Sequence, residues 1–344
     1  MTSISVALGT YNGARHIQAQ LESLAAQTHL PLEVVVGDDG SSDGTLDRVS
    51  EFARSAPFPV RIHRNETNLG YARNFLETAK RCNGDWIAFC DQDDVWLPHK
   101  LADAAKAIEQ NASCVLVLQE AWLCDGHLTK SGHKHPDRIK PGMKDRHSQY
   151  GFWVWPGFLQ TVSKDVIDLW DGGALPKNYF PERPEIGHDK WTCQIANALG
   201  GICVLDEPAA LYRRHDGALT GSYARRSRAE LARAALQVRA PSAAAHYAFL
   251  GDVAQSCSSY MEHLRARASD PEWTGAFEHG AAAFRTLEMT HQLRAELYGS
   301  RRFGTQLSTY WKMLRAGAYV GPSFHALGLL AAAHDLLRIL AWRR

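Results

Sequence analysis

The chain has 344 residues, 45% of them apolar and 22% charged, with 27 Gly and 14 Pro, proportions that exclude disordered, collagen-like and coiled-coil classes. A formal net charge of +1, from 38 Lys and Arg against 37 Asp and Glu, gives no electrostatic ground for a nucleic-acid partner. The charge is uneven, however: from Tyr223 onward 16 Arg and Lys face nine Asp and Glu, so a negative first part precedes a positive second one.

Through the first 120 residues, short β-branched runs alternate with longer amphipathic stretches, the pattern of βαβ units and a mainly parallel sheet. Ile4 to Leu8 reads as the first strand. Asn12 is placed to cap a helix whose apolar residues Ile17, Leu21 and Leu24 recur at three and four residues,. Leu32 to Gly37 is a second strand, and Thr45 to Arg54 a helix with Leu46, Val49 and Phe52 inward. Val60 to His63 is a third strand, Tyr71 to Cys82 a helix, Trp86 to Cys90 a buried fourth strand and Lys100 to Glu109 a further helix.

From Ser113 to about Asn178 the pattern becomes mixed. A strand is predicted near Val115 to Leu118, followed by a stretch from His127 to His147 that its His, Lys, Gly and Pro content marks as a surface loop. Trp153 and Trp155 alternate like one face of a strand, which suits packing or a sugar platform equally. A helix near Asp189 and a strand from Gly201 to Leu205 complete the first domain. Beyond Tyr223 the composition shifts to Ala, Arg and Leu, which favours helices. Two domains follow: an α/β domain over residues 1–222 and an α-helical region over 223–344, in line with about 150 residues per domain.

The seven cysteines are odd in number and never in CxxC spacing, so neither a disulfide framework nor a zinc ribbon is expected, and a reducing, cytoplasmic location is. The N-terminus shows no basic stretch before an apolar core. No window of 18 residues is free of charge and Pro, so no membrane-spanning helix is expected. The terminal segment instead pairs Leu329, Leu330, Leu336, Leu337, Ile339, Leu340 and Trp342 with Arg338, Arg343 and Arg344, which fits a helix in the membrane interface or one packed on its own domain or a second subunit.

Parallel open sheets bind ligands beyond the carboxyl ends of their strands. There the chain places Thr10, Tyr11 and Asn12 after the first strand, Asp38 and Asp39 after the second, and Asp91, Gln92, Asp93 and Asp94 after the fourth. Converging carboxylates repel one another unless a cation compensates, and hard oxygen ligands favour Mg or Mn. Neither GxGxxG after a strand nor GxxxxGK with Ser or Thr occurs, which disfavours nicotinamide dehydrogenases and P-loop NTPases.

With GTYNG at 9–13, GDDGSSDGT at 37–45, NLGYARN at 68–74, FCDQDDVW at 89–96, HDKW at 188–191 and YRRH at 212–215, residues 3–222 resemble inverting glycosyltransferases of family 2 with a GT-A fold. FCDQDDVW, and Gln92 between its carboxylates, looks most like the bacterial rhamnosyltransferase branch. The resemblance implies that Thr10, Tyr11, Asn12, Asp38, Asp39, Gly70, Arg73 and Asp91 line the nucleotide site, with Tyr11 and Asp39 on the base and Asp91 on the ribose. It also implies that Asp93 and His215 hold a divalent metal, Mg or Mn, and that Asp189 is the catalytic base. The implied reaction moves a sugar, dTDP-L-rhamnose being the first choice of donor, to a lipid-linked saccharide acceptor of bacterial surface polysaccharide such as O-antigen. The enzyme would work in the cytoplasm or at the inner face of the cytoplasmic membrane, with no nucleic acid and with a homodimer as one arrangement. UDP-hexose donors such as UDP-galactose or UDP-glucose, and a catalytically silent binding partner, stay open. A pyrophosphorylase is disfavoured because GTYNGARHI lacks the basic loop pattern. Taken singly, the features have plainer readings too: DDGSSDGT as a turn and helix cap, Asp189 as a helix cap, His215 as a surface histidine.

Overall fold

A computed structural model describes residues 2–136, 140–214, 240–321 and 324–341. The chain forms two compact units, one of residues 1–146, 154–173 and 187–222, the other of residues 147–153, 174–186 and 223–344. The helical unit thus takes in two excursions, residues 147–153 and 174–186, from before residue 222, which a single boundary there does not anticipate. That boundary, like His215, lies outside the described residues.

The first unit is built on a mixed ten-stranded sheet. In chain order it comprises β1 (Ile4–Thr10), α1 (Ile17–Ala25), β2 (Glu33–Asp38), α2 (Thr45–Ala53), β3 (Val60–Arg64), α3 (Tyr71–Lys80), β4 (Trp86–Cys90), β5 (Val95–Trp96) and α4 (Lys100–Gln110). It continues with β6 (Leu116–Cys124), β7 (Lys130–His135), β8 (Gly142–Lys144), β9 (Gln160–Ser163), α5 (Lys164–Asp168), α6 (His188–Leu199) and β10 (Ile202–Arg213). The strand order is β3-β2-β1-β4-β9-β6-β10-β5, with β7 on β6 and β8 on β10. Strands β3, β2, β1 and β4 run parallel, and every residue of β1 and β2 is buried, as helices on both faces of a parallel sheet require. The chain winds outward from β1 through β2 to β3 and then returns to place β4 on the other side of β1. Such a reversal opens a crevice at the carboxyl ends of the two strands where the winding changes direction.

Three expectations are corrected. Asn12 does not cap α1: its φ is 48°, its Oδ1 accepts from the Ser42 N–H at 2.9 Å, and the helix starts at His16 without a side-chain cap. The short polar side chain has a better partner in the neighbouring loop, and Asn tolerates the left-handed region. The His- and Lys-rich stretch is not simply a loop, since β7 and β8 pair antiparallel with β6 and β10. Their side chains are mostly exposed, so they carry no apolar alternation by which a strand could be read. Residues 153–156 form no strand, and Trp153 and Trp155 fall in different units.

The helical unit comprises α7 (Ala240–Arg267), α8 (Pro271–Gly299), α9 (Phe303–Arg315) and α10 (Leu329–Ala341). Pro271 at the first turn and the Asp270 carboxylate, which accepts from the Glu272 N–H at 2.7 Å, start α8, as capping chemistry dictates. Val253, Cys257, Met261 and Leu264 of α7 and Phe277, Phe284 and Leu287 of α8 are buried at helical spacing. A second cluster joins Leu297, Tyr310, Met313, Tyr319 and Ile339. No helix among the described residues is long and apolar enough to cross a membrane.

Candidate active site

The loops after β1, β2 and β3 enclose a cleft of about 550 Å³ lined by Tyr11, Asp39, Gly40, Arg64, Asn65, Glu66, Thr67 and Asn68. Its wall is set by short-range hydrogen bonding. Asp38, fully buried, accepts from the Thr10 hydroxyl at 2.9 Å and from the Ser41 and Gly40 N–H groups at 2.9 and 3.3 Å. Thr10 and Asp38 therefore present no free group to the cleft, and the expected ligand contact gives way to a role in fixing the two loops. Asp39 differs: its Oδ1 accepts from the Leu69 N–H at 2.7 Å and Asn65 Nδ2 at 3.0 Å, while Oδ2 takes the Gly70 N–H at 2.9 Å. Two carboxylate oxygens offer about four lone-pair positions, so Asp39 keeps capacity on its cleft side. Gly70, at φ 77°, supplies that N–H as it opens α3.

Tyr11 is half exposed and stands over the cleft. Its backbone is gripped by Gln92 from the loop after β4: Gln92 Oε1 accepts from the Tyr11 N–H and Gln92 Nε2 donates to the Tyr11 carbonyl, both at 2.9 Å. The side-chain amide acts as one rung of sheet ladder between residues 81 apart in sequence. Gly13 makes this possible, because a Cβ there would lie 2.0 Å from Gln92 Oε1.

Flanking Gln92, carboxylate oxygens of Asp91, Asp93 and Asp94 lie within 4.8 Å of one another. Burial first, then the charges of Asp93 and Asp189, push the Asp91 carboxyl up to about 8. Burial likewise raises Asp94, aided by Asp93 and Asp91. Asp94 Oδ1 accepts from the Arg213 N–H at 3.0 Å, whereas Oδ2 is buried with no hydrogen-bond partner. An all-oxygen set with an orphaned buried acceptor and unneutralised negative charge fits a hard divalent cation. Arg213 ties the loop down through Nε to the Asp93 carbonyl at 2.8 Å.

Asp189 stands in the first turn of α6, its Oδ1 accepting from the Lys190 N–H at 2.9 Å. Its charge is felt at Asp91, which brings the HDKW carboxylate to the acidic loop. The neighbouring His188 is buried against Phe75, with ring centroids 4.1 Å apart, and burial drives its imidazole down to about 3. It is a neutral packing element whose burial makes it a weak base, and Asp189 is the better proton acceptor of the pair.

Of the expected residues, Tyr11, Asp39, Gly70, Asp91 and Asp93 lie on the loops that follow the strands, and Asp189 lies in the first turn of α6. Arg73 lies half-buried in the first turn of α3 and is not among the cleft-lining residues; the cation there is Arg64, whose Nη2 donates to the Ser41 carbonyl at 3.0 Å. Arg64 and Asn65 went unnoticed because they close a strand with no motif of its own. Trp155 is 1% exposed, and its Nε1 donates to the Gln119 carbonyl at 2.7 Å. A sheathed indole offers no face to a sugar, so of the two readings packing is the one that Trp155 fits. Lys100 is a buried cation behind the acidic loop: it donates to Gln119 Oε1 at 3.0 Å, and burial lowers it to about 7.

The family model described as "Glycosyl transferase family 2" matches residues 5–163. A dTDP-rhamnosyl transferase, RfbG of Shigella flexneri, is 35% identical over 222 residues, covering 62% of this chain and 74% of that protein. An uncharacterized protein of Mycobacterium tuberculosis is 28% identical over 226 residues, and the chain spans 59% of its length. Among solved structures, S. aureus TarS 1–349 in complex with UDP-GlcNAc has a TM-score of 0.54 at 20% identity, covering 92% of this chain and 93% of that one. That likeness speaks to the fold.

Proposed function

Starting from a chain that belongs to glycosyl transferase family 2, we propose that it moves L-rhamnose from dTDP-L-rhamnose to a hydroxyl of a lipid-linked saccharide, with inversion at the anomeric carbon. The single observation that carries the reaction is the crevice itself. A cleft bearing Tyr11 and Asp39 is joined through Gln92 to a three-carboxylate cluster, whose charge is coupled to Asp189. The rhamnosyl donor draws support from the 35% identity to the Shigella protein, and the product of such chemistry is bacterial surface polysaccharide made at the inner face of the membrane.

In this reading the exposed Tyr11 ring covers the base, and the cleft side of Asp39 accepts from its imide N–H. Asp91 holds the ribose. Mg or Mn bound by Asp93 with its neighbours would neutralise the leaving diphosphate. Asp189 removes the proton of the acceptor hydroxyl as it attacks the anomeric carbon. One base opposite the leaving group is the arrangement for a single in-line displacement.

Calorimetric titration with dTDP and UDP, each with and without Mn, tests the donor site. The expected result is metal-dependent binding that prefers dTDP and weakens about 30-fold in Asp93→Ala, the loss of one charged contact worth about 2 kcal/mol. Equal affinity with and without Mn overturns the metal assignment, and a preference for UDP overturns the donor. The Gln92 clamp has its own signature. Gln92→Ala and Gly13→Ala should each weaken dTDP binding by about fivefold, the worth of a neutral hydrogen bond, with little change in Tm. Their double variant should be no weaker than either single one, because both remove the same contact. Fully additive losses would show that the clamp is not what Gly13 protects.

A further inference from the structure

Helix α10 is inside-out. A helix lying on a protein surface turns its apolar stripe inward and its polar face to water. In α10 the inward positions Ala332, Asp335 and Ile339 include a fully buried carboxylate. Arg294 donates to it through Nε and Nη2, both at 3.0 Å, and the Tyr298 and Tyr319 hydroxyls donate at 2.7 and 2.8 Å. Four charge-assisted or phenolic hydrogen bonds fix the rotation of the helix about its axis. The face left outside is Leu329, Leu330, Ala333, Leu336, Leu337 and Leu340, with Leu330 90% and Leu337 66% exposed. A continuous row of leucines held toward solvent is a surface made for an apolar partner.

Charge selects the partner. Residues 301–344 carry seven Arg and Lys, of which Arg343 and Arg344 lie outside the described residues, and a single acidic residue, Asp335, whose charge is spent on Arg294. So basic a segment repels a second copy of itself, whereas an anionic bilayer attracts it and takes up the leucines. At 13 residues the helix is about 20 Å long, shorter than the roughly 30 Å hydrocarbon core. We infer that α10 lies in the plane of an anionic phospholipid surface with its leucine row in the headgroup–acyl boundary. The inference is drawn from the helical unit alone and does not depend on the donor or the reaction.

Flotation of the full chain with phosphatidylcholine vesicles, with and without phosphatidylglycerol, tests it. The protein should float with the anionic vesicles and be released by salt, and Leu330→Glu/Leu337→Glu should lower the partition coefficient about a hundredfold. Since all seven cysteines are buried, Leu330→Cys can be labelled with an environment-sensitive dye. Its emission should shift to the blue on addition of anionic vesicles, a readout independent of how the Glu variant folds. Absence of both flotation and blue shift overturns the inference. So does undiminished flotation of a folded Glu variant, or a dimer in sedimentation that this variant dissolves while vesicles leave the parent protein unbound.

Discussion

Asp189→Asn should lower kcat for sugar transfer by about a thousandfold while leaving metal-dependent nucleotide binding within about twofold, the range expected when a positioned general base is removed. The substitution keeps the size of the side chain and an oxygen able to accept from the Lys190 N–H, so α6 should start as before. What is lost is the ability to take a proton. The neighbouring His188 is a poor substitute, since burial disfavours its protonated form and holds its pKa down to about 3. Nor should the donor site weaken: the Asp189 charge opposes the ionised form of Asp91, so its removal relieves repulsion where the diphosphate is to bind. Close approach makes the position exacting, because a Cβ on Gly187 would lie 2.3 Å from Asp189 Oδ1. Single-turnover measurement of transfer is the check. Unchanged product yield would leave Asp189 as the helix cap that its position in the first turn also allows.

The second large effect concerns stability. Asp335→Ala should destabilise the protein by about 3–5 kcal/mol, the cost of leaving one partner of a buried ion pair uncompensated. Arg294, 11% exposed in its side chain, would lose both hydrogen bonds, and Tyr298 and Tyr319 would lose their acceptor. That loss is a large share of a usual total of 5–15 kcal/mol. The pair Asp335→Leu with Arg294→Met should recover part of it, because apolar residues of similar volume replace a buried ion pair at little cost while the Tyr298 and Tyr319 hydroxyls still lack the Asp335 acceptor. Urea unfolding of the three proteins checks both statements. A loss below about 1 kcal/mol for Asp335→Ala would mean that the ion pair does not hold α10, and with it the rotation that turns the leucines outward.

Much of the first unit is legible in the sequence because its signals are local. Strands β1, β2 and β4 are short apolar runs buried on both faces, the helices between them repeat at three and four residues, and the carboxylate-bearing loops follow directly. Asp39 and Asp91 could be picked out by strand context, as could Asp93, since DQDD after a buried strand and before Trp96 has few other uses. Strands β7 to β9 were not legible, for β7 and β8 are mostly exposed and lack alternation, and β9 is four residues long. Their positions are imposed by the edges of β4, β6 and β10.

Contacts between distant residues were beyond any local pattern. The sequence alone placed Gln92 among the carboxylates Asp91, Asp93 and Asp94, but only the adjacency of β1 and β4 puts its amide on the Tyr11 backbone. Trp153 and Trp155 looked like one face of one strand, and the fold assigns them to separate units. The last helix shows the division most plainly. Its sequence determined an amphipathic segment with basic neighbours, yet periodicity cannot say which side of a helix faces the protein, and the default would turn the leucines inward. The tertiary structure decided otherwise: the side bearing Asp335 faces inward, bonded to Arg294, Tyr298 and Tyr319, and a rigid helix cannot bury both faces at once.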